Sequence, residues 1–136
     1  SSPVISPDGK FLFITVANHP QNAGGIKDPG DIWYATRLND GTWSAPKHAG
    51  SVINNMLYNG VAGFSAAGDE LYLLSHYAGT ERPKTQGIAV AKISGGTWSR
   101  PQNISILYFQ NKAGVLHGMM NRDASVFVFA AETYGT

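Results

Sequence analysis

A chain of 136 residues, 43% of them hydrophobic, is long enough to bury one ordinary core and carries no bias toward disorder. Ten Lys and Arg against nine Asp and Glu leave a formal charge of +1 with no run of like charge, which favours neither nucleic acid nor an anionic membrane surface as partner. With no cysteine there are no disulfides, thiolate metal sites or cysteine nucleophiles, and no apolar run approaches the roughly 20 residues of a direct membrane span.

In chain order the predicted elements are all short strands. Segments 3–6 and 11–17 flank Pro7-Asp8-Gly9, where Pro presets φ and Gly supplies a positive φ at no steric cost. Segments 32–38 and 42–47 flank Asn39-Asp40-Gly41, a strong hairpin signal. The same sequence of events follows with 61–65 and 70–75 around Ala67-Gly68-Asp69, then 88–93 and 97–102 around Ser94-Gly95-Gly96. Segments 115–121 and 125–130 begin a third round. β-Branched and aromatic residues fill these runs, and no window shows capped helical periodicity.

These rounds are an internal repeat. Sliding the chain by 56 places Leu71-Tyr72-Leu73 on Phe127-Val128-Phe129 and Asp31-Ile32-Trp33-Tyr34 on Gly87-Ile88-Ala89-Val90. The segments DGTWSAP (40–46) and GGTWSRP (95–101) match at 55, because the second copy is one residue shorter before its turn. Ser6 to Lys10 matches Ser65 to Asp69 at 59, since the first copy has a longer loop at 18–30. Trp43 and Trp98 therefore open the outermost strand of each unit, and are expected to pack on the neighbouring unit.

A four-stranded antiparallel unit of about 56 residues has the form of a β-propeller blade. SPDGKFLFI (6–14), DIWYATRL (31–38) and DGTWSAP, taken together, resemble the WD40-like or PD40 repeat family. The nearest variety is the propeller of Bacteroidetes envelope proteins that often carry an OmpA-like peptidoglycan-binding domain. The second unit departs from the pattern at Ser65-Ala66-Ala67-Gly68 and Gly87-Ile88-Ala89, and the third keeps only Asn121-Arg122-Asp123. The expected fold is all-β: a β-propeller of four-stranded antiparallel blades, with blade one at about 1–55, blade two at about 56–111 and an incomplete blade three at 112–136. A closed ring needs four or more blades, so the remainder of the propeller is expected in the same polypeptide or, less simply, in other copies.

In a propeller the loops joining strands two to three and four to one emerge on one face, and loops on a rigid scaffold are where recognition concentrates. Asn18, His19, Tyr58, Asn59, His76, Tyr77 and Arg82 form the candidate ligand-binding face. His117, in an innermost strand, is expected to line the central channel; without a second ligand at suitable spacing it reads as structural, not as a metal site. Asn22, Asp28 and Asp31 supply oxygens suited to calcium, but their spacing fits no EF-hand-like loop, and turn chemistry explains both carboxylates. Asp8, Asp40, Asp69 and Asp123 sit at tight turns, where carboxylates bond the backbone, and are poor catalytic candidates. No G-x-S-x-G elbow or Gly-rich phosphate loop is present, nor a motif for any cofactor, and Arg37, Arg82, Arg100 and Arg122 show no common placement. Asn103-Ile104-Ser105 matches a glycosylation acceptor, relevant only in a eukaryotic secretory setting.

The resemblance implies a non-catalytic binding or scaffolding module, periplasmic or associated with the outer membrane, recognising an envelope protein, peptide or glycan. The alternative is the propeller portion of an enzyme, a glycan hydrolase or serine peptidase, whose catalytic residues lie outside this chain.

Overall fold

The computed structural model describes residues 2–75, 86–106, 111–112 and 115–132. Eleven strands are seen among them. β1 (Val4–Ile5), β2 (Phe11–Val16), β3 (Asp31–Thr36) and β4 (Lys47–His48) form one antiparallel sheet in sequential order. β5 (Gly60–Phe64), β6 (Glu70–Leu74), β7 (Ile88–Ser94), β8 (Thr97–Trp98) and β9 (Gln102–Asn103) form the second, and β10 (His117–Met120) pairs with β11 (Phe127–Ala130). A single 3₁₀ turn, Gly25–Lys27, interrupts the long loop of the first sheet.

One turn joins the first two strands of all three sheets, though each spells it differently. The Ser6 hydroxyl accepts from Phe11 N (2.9 Å) and the Ser65 hydroxyl from Glu70 N (3.0 Å), while in the third sheet Asn121 Oδ1 accepts from Val126 N (2.9 Å). The fourth turn residue takes positive φ each time: Gly9 at 72°, Gly68 at 75° and Ala124 at 59°. Only the last carries a Cβ into that strained region.

The 55-residue offset between the two Trp segments follows from hairpin geometry. Asn39-Asp40-Gly41 is a three-residue loop, with Gly41 N donating to Leu38 O and Gly41 at φ 83°, whereas Gly95 and Gly96 at 57° and 81° make the two-residue turn that directly joins Ser94 to Thr97.

The expected fourth strands, 42–47 and 97–102, are each broken in two. Trp43 bridges Arg37 before Lys47–His48 rejoins Tyr34 and Trp33, and in the second sheet β8 and β9 both pair with β7. Pro46 and Pro101 have no N–H for the ladder, so pairing lapses there. A serine hydroxyl fills the gap: Thr36 N donates to Ser44 Oγ at 3.0 Å and Lys92 N to Ser99 Oγ at 2.9 Å. The repeated Trp-Ser-x-Pro is thus a planned interruption of the outer strand.

The core lies between the sheets. Phe13, Ile32, Ala49 and Ile53 of the first meet Val61, Phe64, Leu71, Leu73, Ala89, Ala91 and Ile93 of the second. A smaller cluster of Ala62, Leu74, Ile88 and Leu116, flanked by Met120 and Phe127, joins the second to the third. Trp98 lies on the neighbouring unit as expected, edge-on to Phe13 (5.7 Å) and Tyr34 (5.1 Å), with Nε1 donating to Ala49 O at 3.0 Å. Trp43 belongs to the first unit, with no preceding unit among these residues to lie on; its contact is Arg37 of its own sheet, whose guanidinium sits 5.5 Å from the ring centroid.

Candidate functional site

The loop from 17 to 30 and the connection from 49 to 59 emerge at the same end of the first sheet and are tied to each other. Asn59 N donates to Gly30 O at 2.8 Å, and Thr15 Oγ1 donates to Asn59 O at 3.1 Å. Gly30 is required by close approach: a Cβ there would stand 2.6 Å from the Thr15 methyl and 3.1 Å from the Tyr58 ring. Tyr58 is thereby seated against the first loop, and its ring also lies 6.3 Å, centroid to centroid, from the exposed imidazole of His117 at the start of β10.

Gln86, which sequence reasoning passed over, holds this arrangement. Its buried amide donates to Tyr58 O and Leu74 O and accepts from Leu116 N, so one side chain joins the connecting loop, the end of β6 and the approach to β10. A lone Gln before a strand has no spacing or motif to announce it. Asn111 Nδ2 donates in turn to Gln86 O at 3.0 Å.

The expected face is only partly assembled. Tyr58 is half-buried, whereas Asn59 is fully buried and lies beneath the face. Asn59 Nδ2 donates to Ser75 Oγ at 2.7 Å and its Oδ1 accepts from Asn55 N at 3.0 Å, which commits the side chain to shaping the loop. Asn18 is exposed, at φ 56°, and its amide donates to Ile26 O at 3.0 Å. His19 packs edge-on to Trp33 at 4.4 Å. Trp33 alternates along β3 with Ile32 and Tyr34, which face the second sheet, so His19 and Tyr58 are on opposite sides of the first sheet. His76, Tyr77 and Arg82 lie outside the described residues.

A second polar cluster surrounds Asp31, and here turn chemistry is insufficient. Asp28 does cap its own turn, accepting from Gly24 N and Gly30 N, but Asp31 is the first residue of β3. Fully buried, it accepts through Oδ2 from Ala23 N at 2.6 Å and pairs with His48 Nε2 at 2.7 Å, leaving Oδ1 without a partner. Asn22 Oδ1 accepts from Trp33 Nε1, and Asn54 spans the strand by bonding both Ile32 N and Ile32 O. The Asp–His pairing resembles half of a proton-relay site, yet its geometry is structural. Gly50 N donates to His48 Nδ1 at 3.1 Å, so both ring nitrogens are engaged by partners within the protein. Among the described residues no group of three or more His, Asp or Glu is placed to hold a metal ion.

The turn carboxylates serve the fold. Asp8, Asp40, Asp69 and Asp123 are all held below the ordinary carboxylate value, chiefly by the hydroxyls of Ser6, Thr42, Ser65 and Ser125 in that order. Asp8, Asp40 and Asp123 also accept a backbone N–H two residues on.

No protein-family model matches the chain, and neither does any curated protein. A crystal structure of TolB from Acinetobacter baumannii aligns over 98% of this chain with a TM-score of 0.57 at 16% identity. The chain has a β-propeller fold. It is all-β, with two complete antiparallel blades and part of a third, and spans 27% of the TolB chain. No helix among the described residues is long and apolar enough to cross a membrane.

Proposed function

We propose that the chain is a non-catalytic binding or scaffolding part of a bacterial envelope β-propeller, recognising protein, peptide or glycan through the loop end centred on Tyr58. The observation that carries this reading is the fastening of that end. Gly30, Asn59 and Gln86 hold three successive units around one half-exposed aromatic ring. A rigid scaffold presenting an aromatic at a loop cluster is suited to recognition, because little conformational freedom remains to be lost on binding. The likeness to TolB supports the scaffold, and the WD40-like resemblance supports the envelope setting, periplasmic or at the outer membrane. We place the blade boundaries at about 55/56 and 111/112.

Alanine substitution of Tyr58, His76 and Tyr77 together tests it. The expected result is loss of capture of envelope partners in a pull-down, with the circular dichroism spectrum and urea midpoint retained. Undiminished capture by the folded triple variant would put the binding face elsewhere.

A further inference from the structure

His48, Ala49 and Gly50 end the outer strand of the first sheet, where that sheet meets the second. His48 Nε2 lies 2.7 Å from Asp31 Oδ2, and His48 Nδ1 accepts from Gly50 N at 3.1 Å. A ring nitrogen that accepts carries no proton, so His48 is the neutral tautomer with its hydrogen on Nε2. The carboxylate it meets is fully buried, and its donors, Ala23 N and His48 Nε2, both fall on Oδ2 while Oδ1 has none. A neutral ring leaves an ionised Asp31 unbalanced; a cationic ring would balance it. The His48 side chain is 21% exposed, so a proton can reach it from solvent.

Among the described residues, the other polar and titratable groups nearby are already engaged or turned outward. Asn54 Nδ2, 3.4 Å from Nε2, is given to Ile32 O, and the Asp28 carboxylate is taken by Gly24 N and Gly30 N. His19 stands edge-on to Trp33, as His48 does, and Lys47 beside it in β4 is exposed.

The Gly50 N–H and the Ala49 C=O belong to one peptide group, whose atoms are held in a plane. That carbonyl accepts from Trp98 Nε1 at 3.0 Å, a hydrogen bond that crosses from one blade to the next. One rigid unit therefore has its nitrogen on His48 and its oxygen on Trp98. Ala49 N is fixed to Ile32 O at 3.0 Å, so any rearrangement falls on the peptide that follows it. Gly50 has room for one: its φ is 87°, and no described heavy atom lies within 4 Å of where a Cβ would stand.

We infer that protonation of His48 releases the Trp98 hydrogen bond and makes the seam between the first two blades sensitive to pH. A proton taken from solvent onto Nδ1 turns that atom from acceptor to donor, facing the Gly50 N–H donor at 3.1 Å. Nε2–H stays on Asp31, now as a charge-assisted pair. The two facing donors repel, the Ala49–Gly50 peptide tilts, and its oxygen leaves Trp98 Nε1.

The test is a heteronuclear NMR titration of the whole chain from about pH 8 to about pH 5, the interval in which imidazoles take up protons. At the upper end His48 should carry its proton on Nε2. On acidification the His48 ring, the Gly50 amide and the Trp98 indole N–H should move with one midpoint. Protection of the indole proton against exchange, corrected for its intrinsic pH dependence, should fall about two- to tenfold, the worth of one ordinary hydrogen bond. His48→Gln, which cannot titrate, should hold the indole resonance still across the same interval. A His48 ring that titrates without the Trp98 indole following would overturn the coupling, as would a ring still neutral at the lower end. An indole that follows the midpoint of His19, His76 or His117 instead would overturn it too, and that comparison needs no variant, so it stands even where His48→Gln fails to fold.

Discussion

Trp43 and Trp98 occupy the same place in the same repeated phrase, yet replacing them with alanine should have very different costs. Trp98 makes two edge-to-face ring contacts across the blade interface, to Phe13 at 5.7 Å and Tyr34 at 5.1 Å, each worth about 0.5–1.5 kcal/mol. Its Nε1–H to Ala49 O bond adds about 1 kcal/mol. The sum is about 3 kcal/mol, at the low end for a large aromatic truncated in a core, as suits a side chain that is only partly buried. Trp43 has the Arg37 guanidinium at 5.5 Å, an exposed cation–π contact of about 0.5–1 kcal/mol. Urea unfolding of Trp98→Ala and Trp43→Ala, analysed at constant m value, should therefore differ by about 2 kcal/mol. Trp98→Phe should recover all but the hydrogen bond, about 1 kcal/mol, and refill the site against Phe13. Equal losses at the two positions would refute the argument that stability resides between blades, because the two residues hold the same strand position within their blades, opposite Arg37 and Ile93.

Ala124 holds positive φ without glycine's freedom, so Ala124→Gly should stabilise the β10–β11 hairpin by up to about 1 kcal/mol, seen as slower amide exchange across 117–130; faster exchange there would contradict the strain. Gln86→Ala removes three buried partners at once, and leaving them unsatisfied should cost about 2–4 kcal/mol and broaden the amide resonances of Tyr58 and His117; a loss below about 1 kcal/mol would mean that the clamp is dispensable. The folded-state pKa values of Asp8, Asp40, Asp69 and Asp123 are depressed, so their stabilisation is present above the unfolded carboxylate value of about 3.9 and is lost as pH falls through the lower folded values. Urea midpoints measured from pH 6 to pH 2.5 should fall mainly below pH 4, and Ser65→Ala should flatten part of that fall by returning Asp69 toward its ordinary value. Amide exchange in β10–β11 should exceed that of β5–β7, since Val126, Val128 and Phe129 are 53%, 64% and 44% exposed while β5 is buried throughout.

Strands, turns and the repeat were legible in the linear sequence because their causes are local. Pro and Gly set backbone angles where they stand, and period-two alternation is a property of one strand. That is why Pro7-Asp8-Gly9 and Ser94-Gly95-Gly96 marked hairpins without reference to anything distant. The outer strand was read as continuous through 42–47 and 97–102; Pro46 and Pro101 break it, and the serine that bridges each gap becomes visible only when the neighbouring strand is placed beside it. The binding end was less legible. Asn18, His19, Tyr58 and Asn59 looked equivalent as loop polar residues, but burial took Asn59 beneath the surface and the pleat of β3 sent His19 to the side away from Tyr58. Gln86 and the Asp31–His48 pair depend on partners 12 to 30 and 17 positions distant, respectively. Such contacts have no spacing rule, since chain separation does not constrain which groups meet in three dimensions. The residues by themselves determined the blade and its punctuation; the packing of one blade on the next decided which side chains remained available to a partner.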